Sequence, residues 1–106
     1  MPKYLIVASY TADGVKGLLK DGGSKRRQAA EAALKSVGGR MESFYFAFGD
    51  HDVYAVIEAP DNATIAAASL AINASGAVHT KTVVLLAPEE LDQAAKKTAT
   101  YQPPGR

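Results

Sequence analysis

Apolar positions along the chain follow two different spacings, and the two alternate in a fixed order. Short segments rich in β-branched and aromatic residues, apolar at every or every second position, predict strands at residues 4–10, 40–48, 53–59 and 78–86. Two other segments carry apolar residues three and four positions apart, which predicts helices over residues 25–37 and 62–74. The resulting order is β-α-β-β-α-β.

Capping residues mark the ends of these helices. Ser24 is a suitable N-cap for the first helix and Asp61 for the second, because short polar side chains accept hydrogen bonds from the first free amides. Gly38 and Gly39 end the first helix, since glycine adopts the left-handed conformation at little cost. Pro88 then predicts the first residue of a short helix near the C-terminus.

Three segments show neither spacing. Residues 11–14 predict a turn, and residues 15–23 end in Asp-Gly-Gly, so we expect a loop with one helical turn there. Residues 99–106 end in Pro-Pro-Gly-Arg and are expected to form a disordered tail. The 106-residue chain is therefore expected to hold one domain, residues 1–98.

The element order predicts an α+β fold of the ferredoxin-like βαββαβ type. Right-handed connections give a four-stranded antiparallel sheet in the order 4-1-3-2, with two helices on one face, followed by the short C-terminal helix. Both main helices are rich in alanine, so they can lie close to the sheet. The second face of the sheet is left without helices.

That second face is predicted to be apolar. A sheet face that meets water carries polar residues at alternate positions, whereas the first and third strands are apolar almost throughout. An uncovered apolar face of about 600 Å² would exceed what monomers usually expose. We therefore expect two subunits to pack sheet to sheet as a homodimeric α+β barrel, or as a higher homo-oligomer. The alternative is that the C-terminal helix folds back over the face with its few apolar residues, Leu91, Ala94 and Ala95.

The second strand carries aromatic residues on both faces. Phe44, Phe46 and Phe48 are expected in the core, and Tyr45 and Tyr54 at the interface or in a cavity. RNA-binding sheets also present aromatic residues, but on central strands, and this strand is predicted at an edge. Because the net charge is only +1, nucleic acid is not expected as a partner.

Composition narrows the chemistry further. Hydrophobic residues make up 47% of the chain and charged residues 22%, which is typical of a folded globular domain. The absence of cysteine excludes disulfides and thiolate metal sites, and no cofactor is expected. No run of 18 apolar residues occurs, so no membrane partner is expected. No signal-like leader opens the sequence, and the expected location is cytoplasmic.

The most distinctive stretch of the sequence runs from Gly49 to Asp61 and reads GDHDVYAVIEAPD. It resembles the name-giving pattern of the GYD domain family, which is a glycine, one residue, a tyrosine and an aspartate before an apolar strand ending in Glu-Ala-Pro-Asp. Gly49, Asp52 and residues 58–61 match this pattern, and His51 replaces the tyrosine.

The resemblance extends over residues 3–92. Residues 4–14 are similar to the family's opening strand and turn, and Gly38 and Gly39 before an aromatic strand are similar as well. Residues 78–82 resemble its last strand, with His79 at the place of an arginine. The resemblance implies a ferredoxin-like dimeric α+β barrel and implies no particular reaction.

Several polar residues are expected to meet at one end of the sheet. The predicted strand order places the end of the first strand beside the starts of the third and fourth, which brings together Tyr10, His51, Asp52 and His79, with Tyr54 nearby. An aspartate can fix the tautomer of a neighbouring histidine, as a general base requires, so His51, Asp52 and His79 are catalytic candidates. All five residues are candidate ligand contacts.

Two alternatives to this site remain open. Asp52 can instead cap the hairpin backbone, with both histidines simply exposed. His51, Asp52 and His79 also form a two-histidine, one-carboxylate set of the kind that binds metal ions, but nothing in their spacing demands it and no metal is expected. The basic residues 25–27 follow two glycines in a pattern that weakly suggests an anion site, and they are expected to solvate the helix.

Two functions are compatible with these features. The first is a homo-oligomeric small-molecule-binding or regulatory barrel that holds a small apolar ligand between sheet and helices. The alternative is a cofactor-free monooxygenase or isomerase acting on a small apolar substrate, a hypothesis that rests on analogy of fold. The enzyme requires a closed cavity containing a histidine with an oriented partner.

Overall fold

The computed structural model describes all 106 residues and shows an α+β architecture with four strands and four helices. The strands are β1 (Lys3–Tyr10), β2 (Arg40–Phe46), β3 (Val53–Glu58) and β4 (Val78–Leu85). The helices are α1 (Ala12–Asp21), α2 (Gly23–Ser36), α3 (Asn62–Ala74) and α4 (Pro88–Lys96). The predicted α+β class and the predicted helices at α2, α3 and α4 are confirmed.

All four strands form one antiparallel sheet in the order β2-β3-β1-β4, which is 4-1-3-2 when counted from β4. The register places Tyr4 opposite Ile57 of β3 and Val84 of β4. A register shift between Met41 and Ser43 interrupts the pairing of β2 with β3. Because side chains alternate along each strand, this register determines which residues share a face.

The core lies between the sheet and helices α2 and α3. Tyr4 is completely buried there, and its hydroxyl donates a 2.6 Å hydrogen bond to Oδ1 of Asn62 at the start of α3. Leu34 of α2 and Ile65 of α3 pack in the same cluster. Both helices therefore cover the same face of the sheet, and we call it the helix face.

Helix α1 corrects the predicted loop over residues 15–23. The ten-residue helix begins right after Thr11, whose hydroxyl accepts a 3.2 Å hydrogen bond from the Gly14 amide. Gly14 is required inside the helix, because a Cβ there would lie 2.0 Å from the carbonyl oxygen of Ala77. Two glycines and a polar cap suggested a turn in the sequence, but contact with the chain before β4 holds this segment as a helix.

Strand β2 ends earlier than the sequence indicated, at Phe46, and this changes the role of its aromatics. Phe44 packs against the core, as expected. Phe46 is 41% exposed and Phe48 is 98% exposed, so the expectation that both are core residues is wrong. The chain leaves the sheet after Phe46, and the period-two alternation no longer applies to Phe48. The predicted N-cap Ser24 is also wrong, because α2 begins at Gly23, two residues earlier than predicted, and Gly22 occupies the N-cap position.

Helix α4 stands apart from the rest of the fold. None of its residues is buried, and Leu91 is 60% exposed. The radius of gyration is 16.8 Å, against about 13 Å for a globular chain of this length. The alternative in which this helix folds back over the sheet is therefore wrong. No helix combines the length and the apolar character needed to span a bilayer.

Asp61 is expected to make the stability of the fold sensitive to acid. Its carboxylate accepts a 2.8 Å hydrogen bond from the Thr64 amide, and hydrogen bonds to Thr64 hold the pKa of this carboxyl below its ordinary value of 3.8. A lowered pKa means that the contribution to stability is complete above pH 3.8 and is lost as the pH falls through the lowered pKa.

Thermal unfolding of Asp61→Asn and Asp61→Ala across this pH range checks the assignment. Asparagine also caps helices well, so Asp61→Asn should stay close to the wild-type melting temperature at pH 7 and lose part of the acid sensitivity. Asp61→Ala should melt several degrees lower at pH 7. Equal melting temperatures for wild type and Asp61→Ala at pH 7 would show that the cap contributes nothing.

Candidate functional site

The predicted site residues are divided between the two faces of the sheet. Tyr10 lies on the helix face, where it packs beside the cluster of Ala8, Val53 and Val78. His79 pairs with Ser9 on β1, which places it on the opposite face, and we call this the open face. Sequence reasoning brought these residues to one end of the sheet, which agrees with the register, but did not resolve the faces.

Asp52 is engaged by the backbone of the strand ends. Its carboxylate accepts a 2.8 Å hydrogen bond from the Tyr10 amide, and its own amide donates to the carbonyl oxygen of Ala8 at 2.9 Å. Its carbonyl oxygen accepts from the Ala47 amide at 2.7 Å. These bonds join β1 to the loop between β2 and β3, which is the capping role that the sequence left open for this residue.

His51 contacts the open face through the side chain of Ser9. Its Nδ1 lies 3.1 Å from the Ser9 hydroxyl, and its ring stands edge-to-face against Tyr54 with centroids 6.3 Å apart. Ser9 was not among the sequence candidates. The sequence could have indicated Ser9, because alternate residues of a strand point to the same face. Ser9 therefore shares the open face with Leu5 and Val7.

His79 completes a polar cluster at this end of the open face, which we define as Ser9, His51 and His79. His79 is exposed, and it lies opposite Ser9 in the register of β1 and β4. No group of three His, Cys, Asp or Glu side chains is placed to hold a metal ion. The cluster can exchange hydrogen bonds with a ligand or with another subunit.

The middle of the open face is mainly apolar, with Lys81 opposite Val7 as its charged side chain, and the two ends of this face are polar. Its apolar side chains come from all four strands and are Leu5, Val7, Tyr45, Tyr54, Val56 and Val83. The polar cluster lies at one end. At the other end Lys3 pairs with Glu42 at 3.0 Å, and Arg40 pairs with Glu58 at 3.0 Å. An apolar centre with a polar rim is the composition of a protein interface.

A cavity of about 260 Å³ lies on the other side of the sheet, between α2 and α3. Helix α2 packs over β2 and helix α3 over β4, so the middle of the sheet lies below the gap between them. Sixteen of its 20 lining residues are hydrophobic, and Tyr10 is one of these sixteen. Neither histidine lines it, so the closed histidine-containing cavity expected of the enzyme is not formed within one subunit.

An exposed aromatic patch lies on the helix side, beside the β2 edge of the sheet. Phe46 and Phe48 line a surface groove there together with Val15 and Leu18 of α1. Phe48 is almost completely exposed and follows closely on the end of β2. The patch does not belong to the open face.

Comparisons with known proteins place these features in a family. A family model described as the GYD domain matches residues 4–95. The "Glutamine synthetase and cystathionine beta-lyase binding protein" of Thermus thermophilus is 30% identical over 83 residues, which cover 78% of this chain and 86% of the relative. No solved structure gave a significant match. The chain belongs to the GYD domain family.

Proposed function

We propose that this protein is a homo-oligomeric regulatory protein that binds metabolic enzymes. The observation that carries the proposal is its relative from Thermus thermophilus, which is named for binding glutamine synthetase and cystathionine β-lyase and is matched along 86% of its length. The relative's name describes the binding of enzymes, and the exposed apolar surfaces of this chain are suited to binding a protein partner. The partner of this chain is proposed to be an enzyme of one of these two classes.

The assembly proposed here is a ferredoxin-like dimeric α+β barrel formed through the open face. Val83 is 46% exposed, Tyr54 39% and Tyr45 71%, so large apolar side chains on this face meet solvent in the single chain. Helix α4 leaves this surface uncovered, because none of its own residues is buried. A second copy supplies the matching apolar face, with the polar ends at the rim.

The enzyme partner is proposed to dock at the aromatic patch of Phe46 and Phe48. This patch stays accessible when two open faces pack together, because it lies with α1 on the helix side of the sheet. Buried aromatic side chains supply much of the energy of protein interfaces. Because 98% of the surface of Phe48 is exposed, binding a partner through this side chain would disrupt little packing within the free protein.

The alternative function, a cofactor-free monooxygenase or isomerase, gains no support from the side chains. Its candidate bases His51 and His79 lie on the open face, whereas the apolar cavity lies on the helix face. Asp52, the predicted orienting carboxylate, is bonded to the Tyr10 amide. A histidine-centred reaction would need a site formed between two subunits.

Calorimetric titration against purified glutamine synthetase and cystathionine β-lyase of the same organism tests the proposed function. We expect binding of at least one enzyme with a micromolar or smaller dissociation constant. Phe48→Glu should weaken enzyme binding by more than about tenfold, since a charge replaces an aromatic side chain that becomes buried in the proposed complex.

The matched control is Leu70→Glu, an equally non-conservative change at a residue of α3 that is 73% exposed. Leu70 faces a groove near β4, away from the aromatic patch. It should leave the affinity unchanged. The proposal fails if neither enzyme binds, and the assigned surface is wrong if Leu70→Glu weakens binding as much as Phe48→Glu.

A further inference from the structure

The cavity between α2, α3 and the sheet has a feature that the proposed binding of enzymes does not use. Six of its 20 lining residues are alanines, including Ala30 and Ala33 from α2 and Ala68 from α3, above Ala8 and Ala55 of the sheet. Small side chains on both helices and on the floor leave space that a well-packed core would fill. The cavity is therefore a consequence of which residues face it.

Arg26 is the one charged residue among the 20 that line this cavity. It is half-buried, and it takes part in none of the ion pairs of the chain. Its neighbours differ, because Lys25 pairs with Asp21 and Arg27 pairs with Glu31. Arg26 therefore differs from the other two basic residues of this stretch, because it is half-buried and lines the cavity, whereas Lys25 and Arg27 are exposed.

We propose that the cavity binds a small carboxylic acid with an apolar body, whose carboxylate pairs with Arg26. A guanidinium forms strong, paired hydrogen bonds with a carboxylate, and an unpaired one beside an apolar space favours an anionic ligand. The hydrophobic lining fits a hydrocarbon chain or ring and offers few other polar contacts. A single arginine matches a ligand with a single negative charge.

The volume sets the size of this ligand. An apolar cavity of about 150 Å³ takes up benzene, so each carbon needs roughly 25 Å³. At about 260 Å³ the cavity therefore takes a molecule of roughly ten non-hydrogen atoms. A linear acid of eight carbons has this size, and it serves as the probe.

The charged end of this site is distinct from both proposed protein interfaces. It lies on the helix face, whereas the dimer is proposed to form through the open face. Tyr10 lines both the cavity and the aromatic groove, but Arg26 lines only the cavity and Phe48 only the groove. Loss of acid binding and loss of enzyme binding can therefore be observed independently.

Calorimetry of the full-length protein with sodium octanoate, below the concentration at which it forms micelles, tests this inference. We expect a submillimolar dissociation constant and one site per chain. Arg26→Gln should weaken octanoate binding at least about tenfold and leave the binding of uncharged 1-octanol unchanged. The matched control Arg27→Gln removes the neighbouring positive charge outside the cavity and should bind octanoate as the wild type does.

Two filled-cavity variants locate the site. Ala33→Phe and Ala68→Leu place carbon atoms in the cavity and should abolish binding of both probes while the circular dichroism spectrum stays native. If Ala33→Phe does not fold, Ala68→Leu gives the same test with a smaller addition. The inference is overturned if wild type binds no octanoate, if Arg27→Gln and Arg26→Gln weaken binding equally, or if a folded filled-cavity variant still binds.

Discussion

Replacing Val83 by glutamate is expected to prevent formation of the proposed homodimer and leave a monomer. Val83 lies in the apolar middle of the open face, opposite Leu5, and is 46% exposed in the single chain. Two-fold symmetry places the new carboxylate in the interface twice, and burying it away from water costs several kcal/mol in total, even with Lys81 on the same face of β4. A loss of about 3–6 kcal/mol corresponds to a dissociation constant raised roughly 100- to 20,000-fold.

Sedimentation velocity or native mass spectrometry at micromolar concentration measures this change. Wild type should behave as a dimer or larger assembly, and Val83→Glu as a folded monomer. Leu70→Glu on α3 is the control, because it adds the same charge to an exposed leucine on the opposite side of the sheet. A wild-type protein that is strictly monomeric would remove the proposed barrel, whatever the variant does.

Replacing Tyr4 by alanine is expected to have the largest effect on stability. Tyr4 is the largest completely buried side chain, and it joins β1 to α3 through the hydrogen bond to Asn62. Removing a buried aromatic ring leaves a hole in the core and costs about 3–5 kcal/mol. This is a large share of the roughly 5–15 kcal/mol that stabilises a typical domain.

Urea unfolding followed by circular dichroism measures the cost, and Tyr4→Phe separates its two parts. Tyr4→Phe keeps the ring and should lose only about 0.5–1.5 kcal/mol, the usual net value of one hydrogen bond. Tyr101→Ala, at a residue that is 74% exposed, should change the free energy of unfolding by less than about 0.5 kcal/mol. Equal losses for Tyr4→Ala and Tyr101→Ala would contradict the assigned core.

The strand and helix pattern could be predicted wherever spacing and caps agreed. Asp61 caps α3 as expected, and α3 spans Asn62–Ala74, the predicted range. The prediction failed at α1, where Gly14 and Gly17 lower the helix propensity of the sequence. The close approach of Gly14 to Ala77 stabilises the segment as a helix. A contact between residues so far apart in sequence cannot be predicted from a local pattern.

The candidate site could be predicted only in part. The strand order brought His51, Asp52 and His79 to one end of the sheet, and the register agrees. Whether Asp52 serves His51 or the backbone depends on the conformation of the loop after β2. The structure bonds its carboxylate to the Tyr10 amide, and it places Ser9 beside His51 instead.

The sequence by itself determined the α+β class, the antiparallel sheet and the apolar character of both sheet faces, because these follow from residue spacing. Only the tertiary structure shows which elements cover each of the two faces. In the structure α4 lies away from the open face. The few apolar residues of α4 in the sequence could not exclude that it covers this face. Alanine-rich helices were expected to lie close to the sheet. They pack over its outer strands, and an apolar cavity beside Arg26 lies between them, since the space between two layers depends on all the side chains that fill it.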